Sequence, residues 1–198
     1  MSRAPRKPAP HRFSTLQRLL HWTTAVLVIA MLFIGVGMAS SLGRSYLSLV
    51  AVHRPLGVAI LLLTLLRLGV RLKLGSPPLP ADLPWPMAFG AKASQVALYA
   101  LLLAMPLIGW AMLSAGGYPV EMFGAVRLPP ITPHDAGLHA LLRQAHTLLA
   151  LALFATILLH LAAGLFHALI RRDGVFETMA GGAIPQGAVI DEKAEAQS

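Results

Sequence analysis

The 198-residue chain contains no cysteine and only eight acidic residues. The missing cysteine excludes Cys-ligated iron–sulfur clusters, thiolate-ligated haem, haem attached through C-x-x-C-H and thiol–disulfide chemistry. A bound metal must then draw on histidine, with methionine as the weaker option. Charge of any sign is scarce: 12% of residues are charged and 56% are hydrophobic, where a soluble domain carries about 25% charge. With a mean hydropathy of +0.68, the chain reads as a small polytopic membrane protein with a single folded unit. The net charge of +8 does not call for nucleic acid as a partner. Much of it lies at the ends of hydrophobic segments, where the positive-inside rule accounts for it.

Four segments are long and apolar enough to cross a bilayer, which takes about 20 residues. They run from about Thr15 to Met38, Tyr46 to Leu72, Ala93 to Ala115 and Leu138 to Ile170. The fold class expected is all-α: an integral membrane four-helix bundle. "LGSPPLPADLPWPM", with five prolines, reads as a loop, and so does the Gly- and Pro-rich "GGYPVEMFGAVRLPPITP". Pro106 is expected to kink the third span, which membrane helices tolerate when neighbours satisfy the freed carbonyl. Residues 1–12 form a basic, proline-containing tail whose spacing speaks against a cleaved signal peptide. Residues 13–175 form the membrane domain, and residues 176–198 a flexible tail. The N-terminal tail, Arg71, Lys73, Lys92, Arg171 and Arg172 are set against Arg44, Arg127 and Arg143 in the opposite connections. Both termini are therefore expected in the cytoplasm.

Within these apolar stretches sit His21, His53, His146 and His160. An ionisable side chain inside a bilayer is costly and points to function. At about 1.5 Å per residue, His53 and His146 lie near the outer face, His21 and His160 near the inner one. His160 follows His146 by fourteen residues, about 21 Å deeper and about 40° away in azimuth. Both therefore face the bundle interior. Two pairs at two depths call for two metals or two haems, and haem suits a bundle core built from facing helices. Two opposed imidazoles leave no open coordination position, which favours electron transfer over oxygen binding. Zinc or iron sites fit less well, because each pair offers only two histidines and few carboxylates. Taken singly, an intramembrane histidine can also serve simply as a hydrogen-bonding group between helices.

Arg67 lies fourteen residues beyond His53, on the same face and at the inner depth. It reads either as a partner for haem propionates or as a snorkelling arginine. His167, seven residues past His160, is a candidate to hydrogen-bond a propionate or a quinone carbonyl, or a residue of the headgroup boundary. Gly57, Ala59, Ala163 and Gly164 offer room near the ligands for a flat macrocycle. His134 and His139 read as solvated, His11 as part of the tail. Trp22, Trp85, Trp110 and Tyr118 read as interfacial anchors or haem-edge packing.

Five pieces of the chain carry a resemblance. They are "LHW" around His21, "VHRPLGVAILLLTLLRLGVRL" around His53 and Arg67, "AMPLIGWAM", "GGYPVEMFG" and "RQAHTLLALALFATILLHLAAGLFH". Together they resemble the bacterial cytochrome b561 family of di-haem, four-helix membrane proteins, over residues 12–175. The resemblance implies that His21, His53, His146 and His160 are axial ligands of two b-type haems. It implies electron transfer between the outer face of the inner membrane and the quinone pool. Some such proteins resemble a superoxide oxidase, passing electrons from superoxide to ubiquinone, with a histidine placed like His167 near the quinone end. Superoxide or another periplasmic redox donor, a quinone and membrane lipid are the partners expected. Alternative expectations are an electron-relay cytochrome b subunit serving a c-type cytochrome or hydrogenase-like partner, and a small histidine-based metal or proton transporter.

Overall fold

The computed structural model describes residues 12–122 and 126–181; most of both expected tails lies outside them. Four long helices carry the fold: α1 (Thr15–Ser40), α2 (Arg44–Leu74), α3 (Trp85–Ala115) and α4 (Ala136–Phe166). All four are long and apolar enough to cross a membrane. Leu19, Val26, Phe33, Leu62, Leu66, Leu151 and Leu159 stay exposed, as expected where lipid rather than water covers the outside.

Local chemistry sets the helix ends. Ser14 caps α1 in a reciprocal box: its hydroxyl accepts from the Gln17 N–H, and the Gln17 amide oxygen accepts from the Ser14 N–H. The Gln17 amide nitrogen also donates to the Gly75 carbonyl at 2.8 Å, tying the start of α1 to the end of α2. Gly43 and Gly75 flank α2 with φ of +67° and +77°, a region that glycine enters at little cost. Asp135 caps α4 by accepting from the Leu138 N–H at 2.7 Å.

The third helix departs from expectation. It begins at Trp85, eight residues before Ala93, so the proline-rich loop ends at Pro84. Pro86 occupies the first turn, where its missing N–H leaves no helical bond unmade. Pro55 and Pro106 lie inside α2 and α3, both of which continue through them. The outer connection, expected as loop, contains a short antiparallel hairpin, β1 (Val120–Met122) with β2 (Val126–Leu128). Glu121 faces Arg127 across it and forms an ion pair at 2.6 Å. After α4 a π-helical turn, His167–Arg171, leads into α5 (Val175–Ala180). The Trp22 indole donates to the Met179 carbonyl at 3.3 Å and fastens α5 to α1.

The buried centre is an apolar layer of Val28, Ile60, Leu102 and Leu153, one residue from each long helix. Val28 lies seven residues after His21, Ile60 seven after His53, and Leu153 seven from both His146 and His160. Two helical turns, about 10 Å, therefore separate this layer from each histidine depth. Thr24 and Thr64, both almost fully buried, lie one turn to the inner side. Leu102 comes from the helix without a histidine among the four, so it tests packing alone. Leu102→Ala is expected to cost about 2–5 kcal/mol, read as a lower melting temperature in detergent.

Candidate functional site

Helix α4 faces both α1 and α2 through its histidines. His21 and His160 bring their ring centres to 6.3 Å, with planes at 67°. His53 and His146 do the same at 6.3 Å and 65°. The close backbone packing of the bundle lies between α1 and α2, α2 and α3, and α3 and α4. Each imidazole pair thus bridges helices that are not tightly packed backbone to backbone.

The donor sets fit a haem. Imidazole nitrogens bind metals at about 2.0–2.1 Å, and ring centres 6.3 Å apart leave room for a metal between the two rings. No cluster of three or more His, Cys, Asp or Glu converges among the described residues. A metal held here needs its remaining ligands from elsewhere, which a macrocycle supplies. In the outer pair, Nδ1 of both His53 and His146 is buried without a hydrogen-bond partner among the described residues. Gly109 on α3 permits the close approach of His146: a Cβ there would stand 3.3 Å from His146 Cε1. Nothing in the sequence singled Gly109 out, beyond its being a glycine inside an apolar span.

The inner pair is different. The Arg67 guanidinium donates to His21 Nδ1 at 2.7 Å. Arginine has no acceptor, so Nδ1 accepts and the His21 proton resides on Nε2 in this arrangement. A neutral His21 holding a metal through Nε2 would carry its proton on Nδ1, and Arg67 would then turn to another acceptor. Arg67 also lies 5.4 Å from the centre of the Tyr99 ring, and Arg71 lies 5.9 Å from it. Arg71 in turn donates to the Gln95 amide oxygen at 2.7 Å. Neither arginine has a carboxylate partner among the described residues. Tyr99 and Arg71 were not foreseen as neighbours of the site; their signal was the i, i+4 spacing of Arg67 and Arg71 on α2.

His167 opens the π-helical turn that follows α4 and is buried at 7% exposure. The π-helical turn closes with the Arg172 N–H donating to the His167 carbonyl at 2.8 Å. Arg172 takes φ of +52°, an uncommon conformation for a side-chain-bearing residue. The chain thereby folds back and sets Asp173 against His167 Nδ1 at 2.8 Å. Asp173 also accepts from Arg171 Nε at 2.8 Å and from the Val175 N–H at 3.3 Å. Of the small residues expected near the ligands, Gly57 faces Met31 and Gly164 faces Phe176 at ordinary contact distance. His134 is exposed, whereas His139 is half-buried, with Nδ1 2.9 Å from the Met112 carbonyl.

Burial alone would raise the Asp173 carboxyl, but hydrogen bonds from His167, Arg171 and the Val175 N–H outweigh it and hold the group below the usual aspartate range. A depressed folded-state value stabilises the fold above the unfolded pKa of about 3.9, and that contribution is lost as pH falls through the folded value. Asp173→Asn is therefore expected to melt below the wild type at pH 7. The gap should narrow in melting curves taken as pH falls below about 4.

Comparison with known proteins agrees with this architecture. The prokaryotic cytochrome b561 family matches residues 12–182. "Cytochrome b561 homolog 2" of Escherichia coli (strain K12) is 29% identical over 176 residues, 87% of this chain and 93% of the relative. "Probable superoxide oxidase CybB" of Yersinia pestis is 31% identical over 170 residues, 85% of this chain and 95% of the relative. "Cytochrome b561 homolog 1" of Escherichia coli (strain K12) is 29% identical over 173 residues. A family match over most of the chain, together with four apolar helices, makes this a bacterial membrane electron-transfer protein for b-type haem: the chain belongs to the prokaryotic cytochrome b561 family.

Proposed function

We propose that this protein is a di-haem cytochrome that takes electrons from superoxide at the periplasmic face of the inner membrane and delivers them to ubiquinone. The observation that carries the reading is the repetition of one geometry, two imidazole rings 6.3 Å apart, on either side of an apolar layer. His53 and His146 would hold the outer haem, His21 and His160 the inner one. Haem, once bound, supplies a one-electron iron couple at each depth. The relative named as a probable superoxide oxidase supports the choice of donor. The distribution of Lys and Arg supports cytoplasmic termini and an inner site on the cytoplasmic side.

Each chain residue then has a task. The four imidazoles would hold the two haems, two imidazoles to each. Gly109 keeps α3 clear of the His146 ring. Arg67, half-buried and without a carboxylate partner among the described residues, would be the group to hold a haem propionate. His167 donates a proton at the quinone end. The balance is two superoxide, one quinone and two protons giving two dioxygen and one quinol.

The absorption spectrum of the dithionite-reduced protein is expected to show a sharp α band with two haems per chain; no haem would overturn the reading. Pulses of superoxide should reduce the oxidised haems, and a short-chain ubiquinone should reoxidise them. Haems indifferent to superoxide would assign the protein instead to electron relay for a dedicated partner. His146→Ala is expected to remove one haem and retain the other, and Gly109→Val to weaken the same haem by displacing the His146 ring. Two haems retained in His146→Ala would refute the pairing.

A further inference from the structure

We propose that Asp173 is a positioning residue that fixes the proton of His167 on Nδ1 and supports its imidazolium, making Nε2 the atom that hands a proton to the reduced quinone. This rests on the quinone reading above and adds to it a residue and an atom.

A carboxylate only accepts hydrogen bonds, so an imidazole nitrogen 2.8 Å from one carries the hydrogen. His167 Nδ1 reaches both oxygens of Asp173, at 2.8 and 3.1 Å. Nε2 has no hydrogen-bond partner among the described residues, and the side chain is 9% exposed. The ring therefore has one nitrogen committed to the protein and the other free for a ligand.

The placement of the carboxylate is itself built. Without the π-helical turn and the left-handed Arg172, the chain after α4 would continue along the helix axis and carry Asp173 away from His167. π-Helical turns occur often at functional sites. Arg171 fixes the carboxylate from the other side and also donates to Asp82 at 2.6 Å, anchoring the turn to the connection between α2 and α3. The charged groups of the surrounding elements include Arg171 on the turn and Arg172 just after it, Asp82 in that connection, Glu177 on α5, and Arg18 of α1, which reaches Gly181 at the end of α5.

Reduction of a quinone to a quinol consumes two electrons, supplied through the inner haem, and two protons. One proton leaves Nε2 of the His167 imidazolium for one quinone oxygen, and the other oxygen takes its proton from cytoplasmic water. The ring is left neutral with its Nδ1 proton still held by Asp173, and is protonated again at Nε2 from cytoplasmic water. Correct tautomer and charge support are what a buried carboxylate contributes to a histidine acid.

Two measurements on the haem-loaded protein test this. With histidine labelled with ¹⁵N and the haems reduced and diamagnetic, neutral His167, assigned by its loss in His167→Gln, is expected to show a protonated Nδ1 and a bare Nε2. The opposite tautomer would overturn the proposal whether or not any variant folds. In stopped flow, a short-chain ubiquinone should reoxidise reduced Asp173→Asn at least tenfold more slowly at saturation, at the same half-saturating concentration. Asparagine can turn its NH₂ toward Nδ1 and so favours the wrong tautomer. Asp173→Glu should recover part of the rate. A wild-type rate in Asp173→Asn, with His167→Gln slowed, would refute Asp173's role and leave the quinone reading standing. Failure of the wild type to react with quinone would sink that reading, while the tautomer measurement would still decide the contact between Asp173 and His167.

Discussion

Everything in this fold depends on finding partners for imidazoles in a medium that offers none. A polar ring within a bilayer must meet another group inside the protein. Here α4 solves the problem twice, meeting α1 at one depth and α2 at the other. The interval of fourteen residues returns its second histidine to nearly the azimuth of the first. Since α4 packs closely on α3, it is free to face α1 and α2 through side chains. The space between those helices is then defined by ring geometry rather than by backbone contact.

The two sites are alike in their ring spacing and unlike in their surroundings. The outer pair sits beside a glycine and has buried nitrogens with no partner among the described residues. The inner pair is surrounded by polar groups: Arg67, Arg71, Tyr99 and Gln95 on one side, and His167 with its Asp173 further on. Cationic groups with no carboxylate partner favour anionic ones nearby. Such a contrast fits the proposed division, in which the outer site would receive only electrons and the inner one would also handle protons and carboxylates.

The long helices and the depth of each histidine were legible in the sequence, because hydropathy and the 3.6-residue period are properties of single helices. That His21 stands beside His160, and His53 beside His146, follows from depth and azimuth alone. What was not legible depends on where the chain turns. Trp85 begins a helix because Pro84 and Pro86 fall at its start, where proline is harmless, yet a proline count reads the same segment as loop. The hairpin at Val120–Leu128 is too short to produce a pattern. Asp173 reaches His167 only through a π-helical turn and a left-handed arginine, and no residue spacing announces either. The contact of Arg67 with His21 joins two helices whose relative rotation no single segment encodes.

The layer of Val28, Ile60, Leu102 and Leu153 acts as a dielectric slab between the two sites. Its four aliphatic side chains offer no hydrogen bond to hold a file of water. The sites are about 21 Å apart by helical rise, against a hydrocarbon thickness of about 30 Å. An electron moving between them samples roughly two-thirds of the membrane voltage, on the order of 1.6 kcal/mol for each 100 mV. In a di-haem protein of the proposed kind, the resting potential would thus enter the driving force of the reaction, through where the aliphatic layer lies.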